Sequence, residues 1–247
     1  MKSSSAKPRQ VLSSVLWLAG ATIFLSVVLL VVYLPQSPAA VSFCKLMQQL
    51  FATDTVQLMW YVTRASGLTA YLLLWLSTAW GLAVSSKILD AVLHRTFTYD
   101  FHEFLSLGAI GFTILHVGVL MFDRYLPYSL VQILVPFLSP YRPFWVGVGV
   151  IGFYLSLLVT ITFYIRSRIG MKTFRAIHGF SLVAYLAVTL HSFFAGTDSP
   201  LVSVMGLYAG TFIVVVFLLA YWRIAVSLKK FATTQAIHKI SRPRTSK

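Results

Sequence analysis

The chain has 247 residues, of which 58% are hydrophobic and only 11% are charged, and its formal net charge is +14 at pH 7. Soluble domains carry about 25% charged residues, so this composition excludes an ordinary soluble domain and predicts an integral membrane protein. The positive charge needs no nucleic acid partner, because basic cytoplasmic loops and attraction to anionic membrane lipid account for it.

Six apolar stretches are long enough to cross a hydrocarbon core of about 30 Å. They predict an all-α, polytopic bundle of six transmembrane helices and lie at about 11–34, 56–84, 102–122, 144–165, 177–196 and 201–222. The first is longer than the ~7 to 15 residues of a signal-peptide core, so we expect it to be an uncleaved span. We divide the chain into an N-terminal basic segment with the first span and outer loop (1–55), a membrane domain (56–222) and a basic tail (223–247).

Basic residues lie unequally on the two sides of this topology. One side carries Lys2, Lys7, Arg9, Lys87, Arg95, Arg166, Arg168, Lys172, Arg175 and seven more from Arg223 to Lys247, and the other carries Lys45, Arg124 and Arg142. Cytoplasmic loops hold the excess of Lys and Arg, so we expect both termini in the cytoplasm and the protein in the plasma or inner membrane.

Four histidines lie in the third and fifth predicted spans, His102 with His116 and His178 with His191. The steps of 14 and 13 residues separate the histidines of each helix by roughly 20 Å, which gives two levels in the bilayer. Because these spans run in the same direction, His102 matches His178 in depth and His116 matches His191. Imidazole is a common axial ligand of haem iron, so the pattern predicts two sites, each with one histidine from either helix.

The spacing within the fifth span fits a straight helix poorly. Fourteen residues return to within about 40° of the starting face, whereas thirteen end about 140° away. A bend near Gly179, or an offset between the two haem planes, would absorb the difference. The single cysteine, Cys44, excludes a Cys-x-x-Cys-His attachment, so any haem is expected to be non-covalent and of b type.

Arg64 lies several residues inside the second span, where a cation is costly unless it is paired. The acidic residues lie in loops or at helix ends, so no acid is expected deep in the membrane. We therefore predict that haem propionates at the His116–His191 level pair with Arg64; snorkelling to the outer headgroups is the alternative.

Three segments of the chain resemble the ferric reductase-like transmembrane domain, the family of ferric reductases, NADPH oxidases and the haem-binding membrane subunit of bacterial methionine sulfoxide reductase. The resemblance covers roughly residues 56–222 and is carried by YVTRASGLTAYLLLWLSTAWGLAVSS, FHEFLSLGAIGFTILHVG and FRAIHGFSLVAYLAVTLHSF. It implies two stacked b haems, with His102 and His178 as iron ligands on the cytoplasmic side and His116 and His191 as iron ligands of the outer haem. The methionine sulfoxide reductase subunit is similar in length but its pattern lacks the first histidine, so His102 favours a two-haem member.

The resemblance implies an oxidoreductase component for transmembrane electron transfer. The 247 residues contain no glycine-rich dinucleotide fingerprint, so FAD or FMN is expected only in a separate cytoplasmic flavoprotein. That flavoprotein or a quinol is the expected electron donor. Ferric chelate, dioxygen, a quinone and a periplasmic protein remain candidate acceptors. The alternative functions are a single-haem subunit of a methionine sulfoxide reductase-like system, and a metal or proton transporter that uses the buried histidines.

Overall fold

The computed structural model describes residues 38, 42, 55–123 and 128–241. Within these ranges the regular secondary structure is entirely helical, and five helices are long and apolar enough to cross a membrane. These candidate spans are Leu58–Ser86, Arg95–Leu120, Pro143–Tyr164, Met171–Ala195 and Val202–Leu228. Five of the six predicted spans are thus confirmed as apolar helices, and the predicted span at 11–34 lies outside the described residues.

Eight α-helices follow one another along the described chain, with a short 3-10 helix at Leu89–Ala91. They are α1 (Thr55–Ser86), α2 (Arg95–Leu120), α3 (Leu130–Leu134), α4 (Pro143–Tyr164), α5 (Arg166–Ile169), α6 (Met171–His178), α7 (Phe180–Ala195) and α8 (Val202–Ser241). Helix α8 has 40 residues and a length of about 60 Å, so it extends well beyond a ~30 Å hydrocarbon core into the basic tail.

Helix α2 begins seven residues before the apolar stretch that predicted it. The residues added at its start include Arg95 and Asp100, which lower the local hydropathy without opposing helix formation. His102 consequently lies two turns inside the helix.

Local sequence fixes the C-terminal end of α1. Helix α1 ends in a Schellman motif, in which the amides of Lys87 and Ile88 donate to the carbonyls of Val84 and Ala83 at 3.1 and 3.2 Å. Lys87 takes the left-handed conformation of this motif, with φ of 62°, and its charge is favourable at a helix C-terminus.

The described residues belong to two compact units, and the larger one (62–117 with 128–247) contains all four site histidines. Tyr71 of α1 lies at the centre of its core, and its hydroxyl is 2.5 Å from Thr211 Oγ1 of α8. The indole of Trp75 donates to the Thr211 carbonyl at 3.0 Å. Hydrogen bonds from the Tyr71 and Trp75 side chains to Thr211 therefore tie α1 to α8 in the core of the larger unit.

Helices α4 and α7 pack closely in opposite directions. A Cβ on Gly152 would lie 2.9 Å from Val188 Cγ2, so the glycine permits this approach. Trp145 stacks on Phe194 with 4.0 Å between ring centroids. The guanidinium of Arg142, the residue before α4, donates to the Phe194 carbonyl near the end of α7.

The smaller unit comprises residues 1–61 and 118–127. Its described residues are the start of α1, residues 118–123 and the isolated positions 38 and 42. Trp60 and Tyr61 pack edge to face within it, with ring centroids 5.1 Å apart. Turn hydrogen bonds from the amides of Met121 and Phe122 continue the end of α2.

Candidate functional site

The structure brings His102 of α2 and His178 of α6 together. Their ring centroids lie 6.2 Å apart, with an angle of 74° between the rings. His178 is the last residue of α6 and is partly buried, as is His102. The depth match predicted from the spacing is therefore accompanied by lateral contact at this pair.

Two serines organise the His102 side of this pair. Ser77 Oγ of α1 lies 3.3 Å from His102 Nδ1 and 2.8 Å from Ser106 Oγ. Ser106 in turn donates to the His102 carbonyl at 2.8 Å. His102 is thus held by α1 as well as by its own helix.

His178 is held differently, because its Nδ1 is buried and has no hydrogen-bond partner among the described residues. Its ring contacts Phe174, one turn earlier, with 5.2 Å between centroids. The two rings of this pair therefore differ in their support: His102 has a polar contact and His178 an aromatic one.

The second predicted pair consists of His116 of α2 and His191 of α7, and each ring is held by a backbone carbonyl of a neighbouring helix. His116 Nδ1 lies 2.8 Å from the Thr63 carbonyl of α1, and His191 Nδ1 lies 2.9 Å from the Trp145 carbonyl of α4. A carbonyl only accepts, so both rings carry the Nδ1 proton. Nε2 is then the nitrogen left with a lone pair for a metal.

The helix that carries His178 and His191 is interrupted at Gly179, which separates α6 from α7. The Gly179 amide still donates to the Arg175 carbonyl at 3.2 Å, so the chain passes directly from one helix to the next. The spacing of 13 residues predicted either a bend near Gly179 or an offset between the two haem planes, and the helix is interrupted at Gly179.

The donor set and spacing of the His102–His178 pair fit a metal held by two imidazoles. Bonds of about 2.0–2.1 Å from an imidazole nitrogen to a metal place the ring centroids about 6 Å apart when the rings lie on opposite sides. The observed 6.2 Å agrees with that separation. At the second pair, both Nδ1 atoms are engaged by carbonyls, which is the usual arrangement of histidines that bind a metal through Nε2.

Arg64 forms an ion pair with Asp198, which lies in the turn between α7 and α8. The expectation that no acid can reach Arg64 is therefore wrong. Asp198 belongs to a loop in the sequence, but the fold places this turn beside the second turn of the α1 span. The carboxylate provides the anion that a cation inside an apolar span requires. A propionate contact of Arg64 remains a prediction.

Sequence reasoning missed the groups that bond the histidines. Thr63 and Trp145 contribute backbone carbonyls, which every residue possesses, so no sequence signal marks them. Ser77 contributes a side chain, but a serine in a membrane helix more often bonds its own backbone. Only the tertiary contact between α1 and α2 distinguishes it.

No protein-family model, curated protein or solved structure matches this chain.

Proposed function

We propose that this protein is the membrane component of an oxidoreductase that transfers electrons across the membrane through two b-type haems. The observation that supports it most directly is the His102–His178 pair, with ring centroids 6.2 Å apart. The second pair supports it through its two Nδ1 hydrogen bonds to carbonyls. In this proposal His102 and His178 bind the cytoplasmic-side haem, and His116 and His191 the outer one.

A haem iron held by two imidazoles supplies reversible one-electron transfer. The residues of the chain bind and orient the group. The Thr63 and Trp145 carbonyls hold their histidines in the tautomer that presents Nε2. All four histidines are partly buried on apolar helices, and limited solvent exposure is one means by which a protein sets a haem potential.

Arg64 retains a place in the proposal beside its ion pair with Asp198. A guanidinium carries five N–H donors, so one carboxylate does not exhaust them. We propose that Arg64 also donates to a propionate of the outer haem.

The resemblance to ferric reductase-like transmembrane domains supports a direction of transfer. A separate cytoplasmic flavoprotein or a quinol would reduce the cytoplasmic-side haem, and an external acceptor would take electrons from the outer one. Candidate acceptors are ferric chelate, dioxygen, a quinone and a periplasmic protein. The excess of basic residues on one side supports a topology with both termini in the cytoplasm and the protein in the plasma or inner membrane.

The haem content of the purified protein tests the proposal. A pyridine haemochrome assay with a dithionite-reduced minus oxidised spectrum is expected to give two haems b per chain. One haem would favour the single-haem, methionine sulfoxide reductase-like alternative. Absence of haem from protein expressed with ample haem supply would refute electron transfer and favour a metal or proton transporter.

Histidine variants then test the assignment of each site. Replacement of His116 or His191 by Ala is expected to remove the outer haem and leave the other. The matched control is His94→Ala, because His94 is exposed and belongs to neither pair. Equal loss of both haems from a single replacement, with the protein still folded, would contradict two separate sites.

A further inference from the structure

Three of the four site histidines lie against a glycine of a neighbouring helix. A Cβ on Gly149 of α4 would lie 2.5 Å from His191 Nδ1, and one on Gly67 of α1 would lie 2.8 Å from His116 Nδ1. A Cβ on Gly81 of α1 would lie 3.1 Å from His102 Cε1. Ordinary contacts between such atoms are about 3.5–4.0 Å, so alanine does not fit beside the first two rings.

Each of these glycines follows a hydrogen-bonding residue by four positions. Thr63 precedes Gly67 and bonds His116 at 2.8 Å, and Trp145 precedes Gly149 and bonds His191 at 2.9 Å, both through the backbone carbonyl. In a helix the carbonyl of residue i points toward residue i+4, whose side chain normally screens it. A glycine at i+4 removes that screen and opens the carbonyl to an imidazole from the neighbouring helix.

A related arrangement occurs at the other level, where the hydrogen-bonding group is a side-chain hydroxyl rather than a backbone carbonyl. Ser77 precedes Gly81 by four residues, and its Oγ lies 3.3 Å from His102 Nδ1. Gly67 and Gly81 of α1 are 14 residues apart, and so are His102 and His116 on the antiparallel helix α2. We call each hydrogen-bonding residue, together with the glycine four positions after it, an imidazole seat. His178 has no such seat, since its Nδ1 has no partner among the described residues.

We propose that Gly67, Gly81 and Gly149 are positioning residues that let the iron-binding histidines pack against their hydrogen-bonding partners, which at His116 and His191 bonds Nδ1 and leaves Nε2 for the haem. The inference rests on the proposed function and assigns a role to residues outside the iron ligands. Two glycines of α2, the helix that carries His102 and His116, differ: a Cβ on Gly108 would make an ordinary 3.4 Å contact with Leu73, and one on Gly111 would meet open space.

The distances predict a graded response to alanine substitution. Gly149→Ala requires the ring of His191 to move by about 1 Å to reach an ordinary contact, which takes Nδ1 beyond hydrogen-bonding range of a carbonyl. Gly67→Ala requires a movement of about 0.7 Å, and Gly81→Ala of about 0.4 Å. Loss of such a supporting contact weakens metal binding about 10–100-fold. We expect Gly149→Ala to weaken haem binding by about the upper end of that range.

The experiment compares Gly149→Ala, Gly67→Ala and Gly81→Ala with Gly111→Ala as the matched control. Haem per chain is counted, and the ferric low-spin signals are recorded by electron paramagnetic resonance, because they respond to the orientation of the axial imidazoles. Gly149→Ala and Gly67→Ala are expected to lose or shift the outer signal alone, and Gly81→Ala to shift only the other. Gly111→Ala is expected to match the unaltered protein.

Unchanged haem content and signals in Gly149→Ala and Gly67→Ala would overturn the inference, as would equal effects from Gly111→Ala. If Gly149→Ala does not fold, Gly67→Ala reports on the same haem from the other helix, and Ser77→Ala tests the third seat without added bulk.

A separate measurement distinguishes failure of the seats from failure of the proposed function. Imidazole nitrogen resonances in the full-length protein report the Nδ1 hydrogen bonds of His116 and His191 whether or not haem is bound. Loss of these bonds in Gly67→Ala and Gly149→Ala supports the seats even if the unaltered protein binds no haem, which would refute only the electron-transfer role. Retention of both bonds in these variants overturns the seats.

Discussion

The ion pair between Arg64 and Asp198 gives the sharpest prediction about stability. About a quarter of the Arg64 side chain and a third of the Asp198 side chain are exposed (27% and 34%), so the pair is neither on the open surface nor fully buried. Exposed pairs contribute about 0.2–1 kcal/mol, and removal of one partner from a buried pair costs about 3–5 kcal/mol. We expect Asp198→Asn to lower the free energy of unfolding by about 2 kcal/mol, between these limits.

The two single replacements are expected to differ. Asp198→Asn leaves a cation about 9 Å inside the first described span, since Arg64 lies six residues after its start at Leu58. Arg64→Leu leaves an anion in a turn at the end of the bundle, where water reaches it more easily, so its cost is expected to be about 1 kcal/mol. The double variant should then cost less than the sum of the two single variants by about 1 kcal/mol.

Thermal unfolding in detergent micelles measures these differences. For a chain of this size, a loss of 2 kcal/mol lowers Tm by about 4–8 °C. The matched control is Asp90→Asn, which breaks an ion pair of 3.1 Å with Arg95, whose side chain is 70% exposed; it should shift Tm by less than about 2 °C. Equal and small shifts in Tm from Asp198→Asn and Asp90→Asn, with additive effects of Asp198→Asn and Arg64→Leu, would refute Asp198 as the anion that pairs with Arg64. The haem propionate would then keep that role.

Two further predictions concern contacts between helices. Tyr71→Phe removes the buried bond to Thr211 Oγ1 and should cost about 1 kcal/mol, whereas Tyr185→Phe should leave stability unchanged or raise it, because the Tyr185 hydroxyl is buried without a partner among the described residues. Matched unfolding titrations of the two variants test this, and a larger loss from Tyr185→Phe would contradict it. Arg142→Ala removes the donor to the Phe194 carbonyl and should cost about 1 kcal/mol; slower amide exchange at the end of α7, rather than faster, would contradict that role.

Hydropathy predicted the membrane helices well because a span is a local property. About twenty apolar residues in succession are required and sufficient to identify one, whatever their neighbours are. The prediction was less accurate at the start of α2, where charged residues at the membrane boundary hide a helix that continues through them. The odd spacing of His178 and His191 left a choice between a bend near Gly179 and an offset between the haem planes, and the helix is interrupted at Gly179.

The sequence by itself determined the helical membrane architecture, the match in depth of His102 and His178, and the need of Arg64 for an anion. These follow from the rise of a helix along its axis and from the cost of a charge in lipid, which require no knowledge of neighbours. Only the tertiary structure decided which groups meet laterally: Asp198 with Arg64, and the Thr63 and Trp145 carbonyls with His116 and His191. Lateral contacts depend on helix rotation and packing, and a backbone carbonyl carries no mark in the sequence. The glycines that open those carbonyls acquire their meaning only when a neighbouring helix is in place.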